Sequence, residues 1–224
     1  KPLARTREWV SIFRRIVSRQ EPVSFEGEHY QLPLQAGTGL GKSLKLMQHP
    51  IRDHIPLYLG AEGPKNVALS AEICDGWIPM FLSPQRMNDQ YAEAMRIKSQ
   101  DFEIAAAVPV VIDDDIDKAR TQIKQNVGFY VGGMGAKTFN VHKDHVGRMG
   151  YADAAQEIQD LFMSGKREEA FAAVPDELID EIALCGPKAR IKELLQGWKN
   201  SPVTHLNVGA ADGDTLRFFA EELL

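Results

Sequence analysis

At 224 residues the chain is long enough to bury a substantial core, in one large domain or two small ones. Hydrophobic residues make up 44% and charged residues 25%, an ordinary globular balance, and the net charge of −5 is spread along the chain with no basic run resembling a nucleic-acid footprint. No apolar stretch is long enough to cross a membrane and the N-terminus has no signal-peptide pattern, so neither a membrane nor a nucleic acid is expected as a partner.

The chain opens directly inside a helix. Leu3, Val10, Phe13 and Val17 fall on one face, and Ile12 and Ile16 widen the stripe. The first residue is lysine rather than methionine, and a start inside regular structure is what a fragment of a longer protein would show. Residues 23–32 alternate apolar and polar around Glu26-Gly27, a hairpin signal. Residues 33–54, rich in glycine, proline and charge, read as an excursion. A buried strand is expected over 55–60, a helix over about 64–73 and a second buried strand over 76–81. Pro84 opens a further helix with Met87, Tyr91, Ala94 and Met95 as its stripe. Residues 102–112 form a long apolar run broken by Pro109, consistent with a strand buried on both faces. Asp113, Asp114 and Asp115 cap a helix running through Ala119, Ile123 and Val127. The segment 128–150, which holds Gly132, Gly133 and Gly135 among aromatic and basic residues, reads as a mobile loop or lid.

Helices follow around 151–164, 166–173 and 175–184, the last stopped by Gly186-Pro187. Pro187 opens another through Ile191, Leu194, Leu195 and Trp198. A strand over 204–210 and a helix over 215–224 close the chain. Four core strands alternating with helices mean α/β architecture, either an open doubly wound sheet or a (β/α) barrel. An eight-stranded barrel takes roughly 250 residues, so four strands amount to half of one. Cys74 and Cys185 are isolated, lie in apolar sequence and lack metal-ligand spacing, which points to buried free thiols in a reducing cytoplasm. His142 and His145 share an i, i+3 spacing with no third ligand evident, so no metal site is expected.

Two glycine segments bear on function. Ala36-Gly37-Thr38-Gly39-Leu40-Gly41-Lys42-Ser43 fits a relaxed nucleotide-binding P-loop. That mechanism needs a strand just before the loop and a helix just after, whereas Pro33 interrupts the one and Pro50 ends the other, so the NTPase reading is set aside. The turn from Gly60 to Asn66 is different. Gly60 and Gly63 permit positive φ or close approach of a ligand, and Pro64 suits the first helical position. Lys65 opposes the helix dipole unless an anion sits there. Glu62 would repel a phosphate, so its side chain is expected to point away with only its backbone facing the ligand. A plain strand–helix junction and an anion site both fit these residues. The turn's place after the first core strand favours the anion site.

Several segments together resemble a known family: Phe25-Glu26-Gly27-Glu28-His29-Tyr30, Gly39 to Lys42, Ile55 to Asn66, Ala71 to Trp77, Tyr130 to Gly135, Gly165-Lys166 and Val174 to Leu178. They are similar to the luciferase-like monooxygenase superfamily, and more narrowly to its branch that uses the deazaflavin coenzyme F420. The resemblance covers essentially all of residues 1–224. It implies the C-terminal half of a single (β/α)8 barrel domain, with 20–54 as an insertion segment near the mouth. It implies hydride transfer between the deazaflavin and an organic substrate. The alternatives are an FMN-dependent luciferase-like monooxygenase and a non-catalytic flavin-binding relative. Carried over residue by residue, Gly60, Ala61, Glu62, Gly63, Pro64 and Lys65 line the phosphate and ribityl side, with Asn66 one step inside the helix. Met80 and Phe81 would face the ring or substrate cavity. Lys137, His142 and Lys143 would meet the acidic tail of F420 or an anionic substrate, and Asn207 and Gly209 would face the mouth. The catalytic residues belong to the family's first strands and are assigned to none here. A cytoplasmic homodimer acting on a small molecule is implied for the intact protein.

Overall fold

The computed structural model describes residues 1–34, 39–209 and 212–223. Helix α1 (Pro2–Ser18) carries proline at its start and buries Val10, Ile12 and Val17. Strands β1 (Phe25–Glu26) and β2 (Gln31–Leu32) form an antiparallel pair with Phe25 opposite Leu32. Their turn lies at 27–30, beyond the expected Glu26-Gly27, because the Glu8 carboxylate of α1 accepts the N–H groups of Glu28, His29 and Tyr30. Ala36, Gly37 and Thr38 of the P-loop-like segment fall outside the described residues. No helix follows Ser43; Leu44 makes only a bridge to Val23.

Strand β3 (Tyr58–Gly60), helix α2 (Pro64–Ile73) and strand β4 (Gly76–Ile78) come next, then the short helices α3 (Met87–Gln90) and α4 (Ala92–Ile97). The chain continues through β5 (Glu103–Val108), β6 (Val110–Ile112), α5 (Ile116–Gly133), α6 (Val141–Val146), a kinked turn (Gly147–Tyr151), α7 (Ala152–Met163), α8 (Arg167–Ala172) and α9 (Asp176–Ile182). It ends with β7 (Leu184–Gly186), α10 (Lys188–Lys199), β8 (His205–Val208) and α11 (Gly213–Leu223). Among the described residues no helix is long and apolar enough to cross a membrane.

Strands β3, β4, β5 and β8 lie side by side in that order, all parallel. In register, Leu59 lies opposite Trp77, Trp77 opposite Ile104, and Ala106 opposite Leu206. Trp77, Ile104 and Ala106 point to the face covered by helices, where they pack with Val67, Tyr91, Ile191, Trp198 and Phe218. The alternate residues Tyr58, Ile78 and His205 stay exposed on the opposite face. The strand expected to be buried over 55–60 is therefore an exposed edge with one covered face, and pairing begins only at Tyr58. Its neighbour β4 is likewise shorter than 76–81.

Pro109 divides the long apolar run. Lacking an N–H, it cannot continue the ladder of β5, and β6 pairs instead with β7 as a separate parallel pair. The helix expected over 175–184 correspondingly stops at Ile182 and gives way to β7. Gly186 ends that strand at φ 108, a conformation that favours glycine. The helix expected from Pro84 begins at Met87 and breaks at Tyr91.

The segment 128–150, expected as a loop, is mostly helical. Helix α5 is N-capped by Asp115, whose side chain accepts from the N–H groups of Asp117 and Lys118, and it runs through to Gly133. Its glycines give close contact: a Cβ on Gly132 would sit 2.6 Å from Phe162 Cβ, and one on Gly128 would sit 2.7 Å from Phe171 Cδ1. A second core forms there from Ile123, Val127, Val131, Met149, Ile158, Ile179 and Cys185. Cys185 is buried and Cys74 half-buried, both as free thiols. Burial of the second was expected, but Cys74 is the C-cap of α2 at the edge of its packing.

Candidate functional site

Because the four sheet strands are parallel, their C-terminal ends share one rim, the position at which parallel α/β sheets bind ligands. Two features occupy that rim. One is the turn joining β3 to α2. The other is a cavity of about 260 Å³ bordered by Met80, Phe81, Ala107, Asn126, Asn207 and Gly209.

Gly63 is the N-cap of α2, with φ −76 and ψ 136, and its carbonyl accepts the N–H groups of Asn66 at 2.9 Å and Val67 at 3.0 Å. Pro64 brings no N–H. The Lys65 N–H, in the first turn, has no intrahelical acceptor. A Cβ built on Gly60 meets nothing within 4 Å, and one on Gly63 meets only Asn66 Nδ2 at 4.0 Å. Pro64, Lys65 and Asn66 are exposed. Open space, a backbone donor without an intrahelical acceptor and the positive end of the helix thus coincide, with Lys65 exposed in the first turn.

The turn is held from behind. Trp77 Nε1 donates to the Ala61 carbonyl at 2.7 Å, and the Tyr91 hydroxyl donates to the Glu62 carbonyl at 3.2 Å. Arg148 Nη2 reaches the same carbonyl at 3.4 Å. Glu62 Oε1 lies 2.6 Å from His142 Nδ1, with the two side chains only 10% and 16% exposed. A carboxylate can only accept, so the proton sits on Nδ1. Glu62 is turned inward, and its second oxygen, Oε2, is buried with no partner among the described residues. His142 meets the rings of Tyr130 at 5.0 Å and Phe81 at 6.3 Å, both edge-on.

One helical turn on, His145 Nε2 lies 3.1 Å from the Phe81 carbonyl. Burial pushes the His145 imidazole below its ordinary range, which keeps it neutral. Burial likewise pushes the Tyr91 hydroxyl up, so it remains a protonated donor. Phe81 itself has φ 52, a left-handed conformation that is unusual for a bulky residue. Its buried ring and the His145 contact hold it there. Helix α6 therefore grips the ends of β3 and β4 together, and the chain kinks soon after it, at Gly150 with φ 98.

Met80 and Phe81 both border the cavity, and the largely buried Phe81 ring also packs on Tyr130. Lys143 is not free for an acidic ligand: its Nζ donates to Gln156 at 3.1 Å and Gln159 at 3.0 Å. Lys137 is exposed, away from these contacts. Asn207 and Gly209 border the cavity as expected of the last strand's end. Asp75 sits at the opposite end of the sheet and ties β3 in place by accepting from Leu57 N–H and Arg14 while pairing with His54. Sequence reading missed Tyr91, Tyr130, His145 and Arg148. The i, i+3 spacing of His142 and His145 was the visible signal for part of this set. Among the described residues no three metal-ligating side chains converge.

Residues 1–205 match the family model described as luciferase-like monooxygenase. The chain is 45% identical over 231 aligned positions to a provisionally named coenzyme F420-dependent oxidoreductase of Mycobacterium tuberculosis, an alignment covering 98% of this chain and 66% of that protein. It is 28% identical over 222 positions to the 5,10-methylenetetrahydromethanopterin reductase of Archaeoglobus fulgidus, covering 95% and 62%. Among solved structures, the coenzyme F420 dependent tetrahydromethanopterin reductase of Methanopyrus kandleri superposes with a TM-score of 0.68 at 21% identity, over 94% of this chain and 58% of that one. An F420-dependent secondary alcohol dehydrogenase gives 0.65 at 19%, over 96% and 58%. These two establish a likeness of fold. The chain thus spans less than two thirds of the length of the relatives it matches.

Proposed function

The chain belongs to the luciferase-like monooxygenase family, and from that premise we propose that it forms the C-terminal half of a (β/α)8 barrel in an oxidoreductase that moves a hydride between coenzyme F420 and a small organic substrate. The observation that carries this reading is the open helix-start turn at the C-terminal rim of the parallel sheet, beside a cavity. The 45% identical relative named for F420 supports the choice of cofactor. When bound, the deazaflavin supplies the carbon that accepts or donates the hydride.

In this reading the chain's own residues bind and orient. Gly60 and Gly63 let a phosphate approach the backbone, and the N–H and ammonium of Lys65, with the Asn66 side chain, face it. Trp77 fixes the Ala61 carbonyl behind the turn. Met80, Phe81, Ala107, Asn126 and Asn207 offer the ring or substrate a neutral wall, since among the described residues no titratable side chain borders the cavity. Acid–base groups are therefore not assigned to this rim. The intact enzyme in this reading is a homodimer of the reducing cytoplasm.

The test is a titration of the chain with F420, and separately with FMN, followed by deazaflavin fluorescence or flavin absorbance, each repeated against inorganic phosphate. Saturable F420 binding that phosphate displaces is the expected result. Binding of FMN alone would transfer the site to a flavin enzyme, and binding insensitive to phosphate would remove the turn from the site.

A further inference from the structure

We propose that His142 is the positioning residue of the anion-binding turn: it holds the Glu62 carboxylate inward, so that the negative charge nearest the turn does not face the anion. The proposal rests on reading the turn at 60–66 as a phosphate site.

Glu62 stands between Ala61 and Gly63, so rotation of its own side chain can carry the carboxylate from the protein interior to the turn's open face. Gly60 and Gly63, without side chains, leave room for it there. What keeps it inside is one short bond, Oε1 to His142 Nδ1 at 2.6 Å, in a setting where the side chain is nine-tenths buried and Oε2 has no partner among the described residues. A buried carboxylate that loses its only side-chain donor is unfavourable and moves to water. The solvent within reach of its rotation is on the turn's open face, where Gly60 and Gly63 leave space. His142 is itself kept in place by the edge-on rings of Tyr130 and Phe81 and by its position on α6, whose N-cap Asn140 accepts the His142 N–H. The arrangement places the histidine behind the turn, where it touches no ligand and acts through Glu62.

The consequence is a rescue that mere structural support would not give. Deazaflavin fluorescence titration of the 224-residue chain, with phosphate competition and a melting curve for each variant, reads it out. His142→Ala should weaken F420 binding at least about fourfold, the effect of an exposed carboxylate within about 5 Å of the singly charged phosphodiester of F420. Glu62→Gln should tighten binding about twofold, since a charge is lost while the amide oxygen still accepts from Nδ1. The double variant, which combines the two, should return to within about twofold of the parent, because the released side chain no longer carries a charge. His142→Asn, whose amide can donate from the position of Nδ1, should also stay near the parent. A double variant as weak as His142→Ala, or a His142→Ala chain that binds normally, overturns the proposal. Gly63→Asp separates the two failures. If it leaves F420 affinity unchanged, the phosphate reading falls and this proposal with it. If it weakens binding but the rescue does not appear, only the role of His142 fails.

Discussion

Replacing Gly63 by aspartate should push stability and affinity in opposite directions. At φ −76 and ψ 136 the position accepts any L-residue, and the new Cβ meets only Asn66 Nδ2 at 4.0 Å, so the chain folds without strain. As the N-cap of α2 the new carboxylate can accept first-turn N–H groups and offset the helix dipole, which stabilises by a few tenths to about 1 kcal/mol. For a chain of this size that is a rise in Tm of about 1–3 °C. The same carboxylate lies where the phosphate must sit. At about 5 Å, with full water screening, the charge pair with the singly charged phosphodiester of F420 costs about 0.8 kcal/mol, and several times more where screening is weaker. Binding of F420 should fall at least about fourfold. Gly63→Ser supplies a neutral cap and should keep affinity within about twofold. Fluorescence titration and thermal melting on the three proteins check both signs. Equal losses for serine and aspartate would show a steric rather than an electrostatic effect. Unchanged affinity for aspartate would refute the anion site.

Gly132→Ala should lower stability by about 1–3 kcal/mol despite alanine's better helix propensity, because the added methyl would meet Phe162 Cβ at 2.6 Å; a raised Tm would mean the contact between α5 and α7 relaxes freely. Trp77→Phe keeps the buried ring but loses the bond to the Ala61 carbonyl, which should cost about 1 kcal/mol in melting experiments and loosen cofactor binding. Acidification should act through His145. Burial lowers its folded-state pKa below the unfolded value of about 6.5, so the unfolded chain binds the proton more readily. Its contribution is then complete above about pH 6.5 and is lost as pH falls below it. Tm should drop between pH 7.5 and 5.5, less steeply in His145→Gln; identical slopes would sink the assignment.

The elements legible in the sequence are those whose signals are local. Helix α2 runs over Pro64–Ile73 as expected, since a glycine cap, proline at the first position and the Asp75-Gly76 stop all lie within a few residues. The alternation of strands with helices likewise foretold a parallel sheet. What was not legible depends on residues far away. Gly132 and Gly133 look like loop formers until Phe162 fills the space above them. Strand β7 looks like the tail of α9 because only its partner β6, some 70 residues earlier in the chain, defines it. The apolar residues at 55–60 carry no mark of standing at an edge. In the candidate site, the glycine turn was visible and its supports were not. Tyr91, His142, His145 and Arg148 converge on Glu62 and Phe81 only through tertiary packing.

The pairing of β5 with β8 has a consequence for how the molecule assembles. The Ile104 N–H reaches Thr204 Oγ1 across 100 residues of chain. Closing an unstructured loop of that length costs about 4 kcal/mol of chain entropy before any contact repays it. Most of the intervening chain, however, carries the second core, from Ala119 to Cys185, which can collapse largely on contacts within itself. Once folded, that unit brings the two ends of the excursion together through β6 and β7. The sheet then gains its last strand late, by docking rather than by search, and β8 with α11 should be the first backbone to exchange its amide protons.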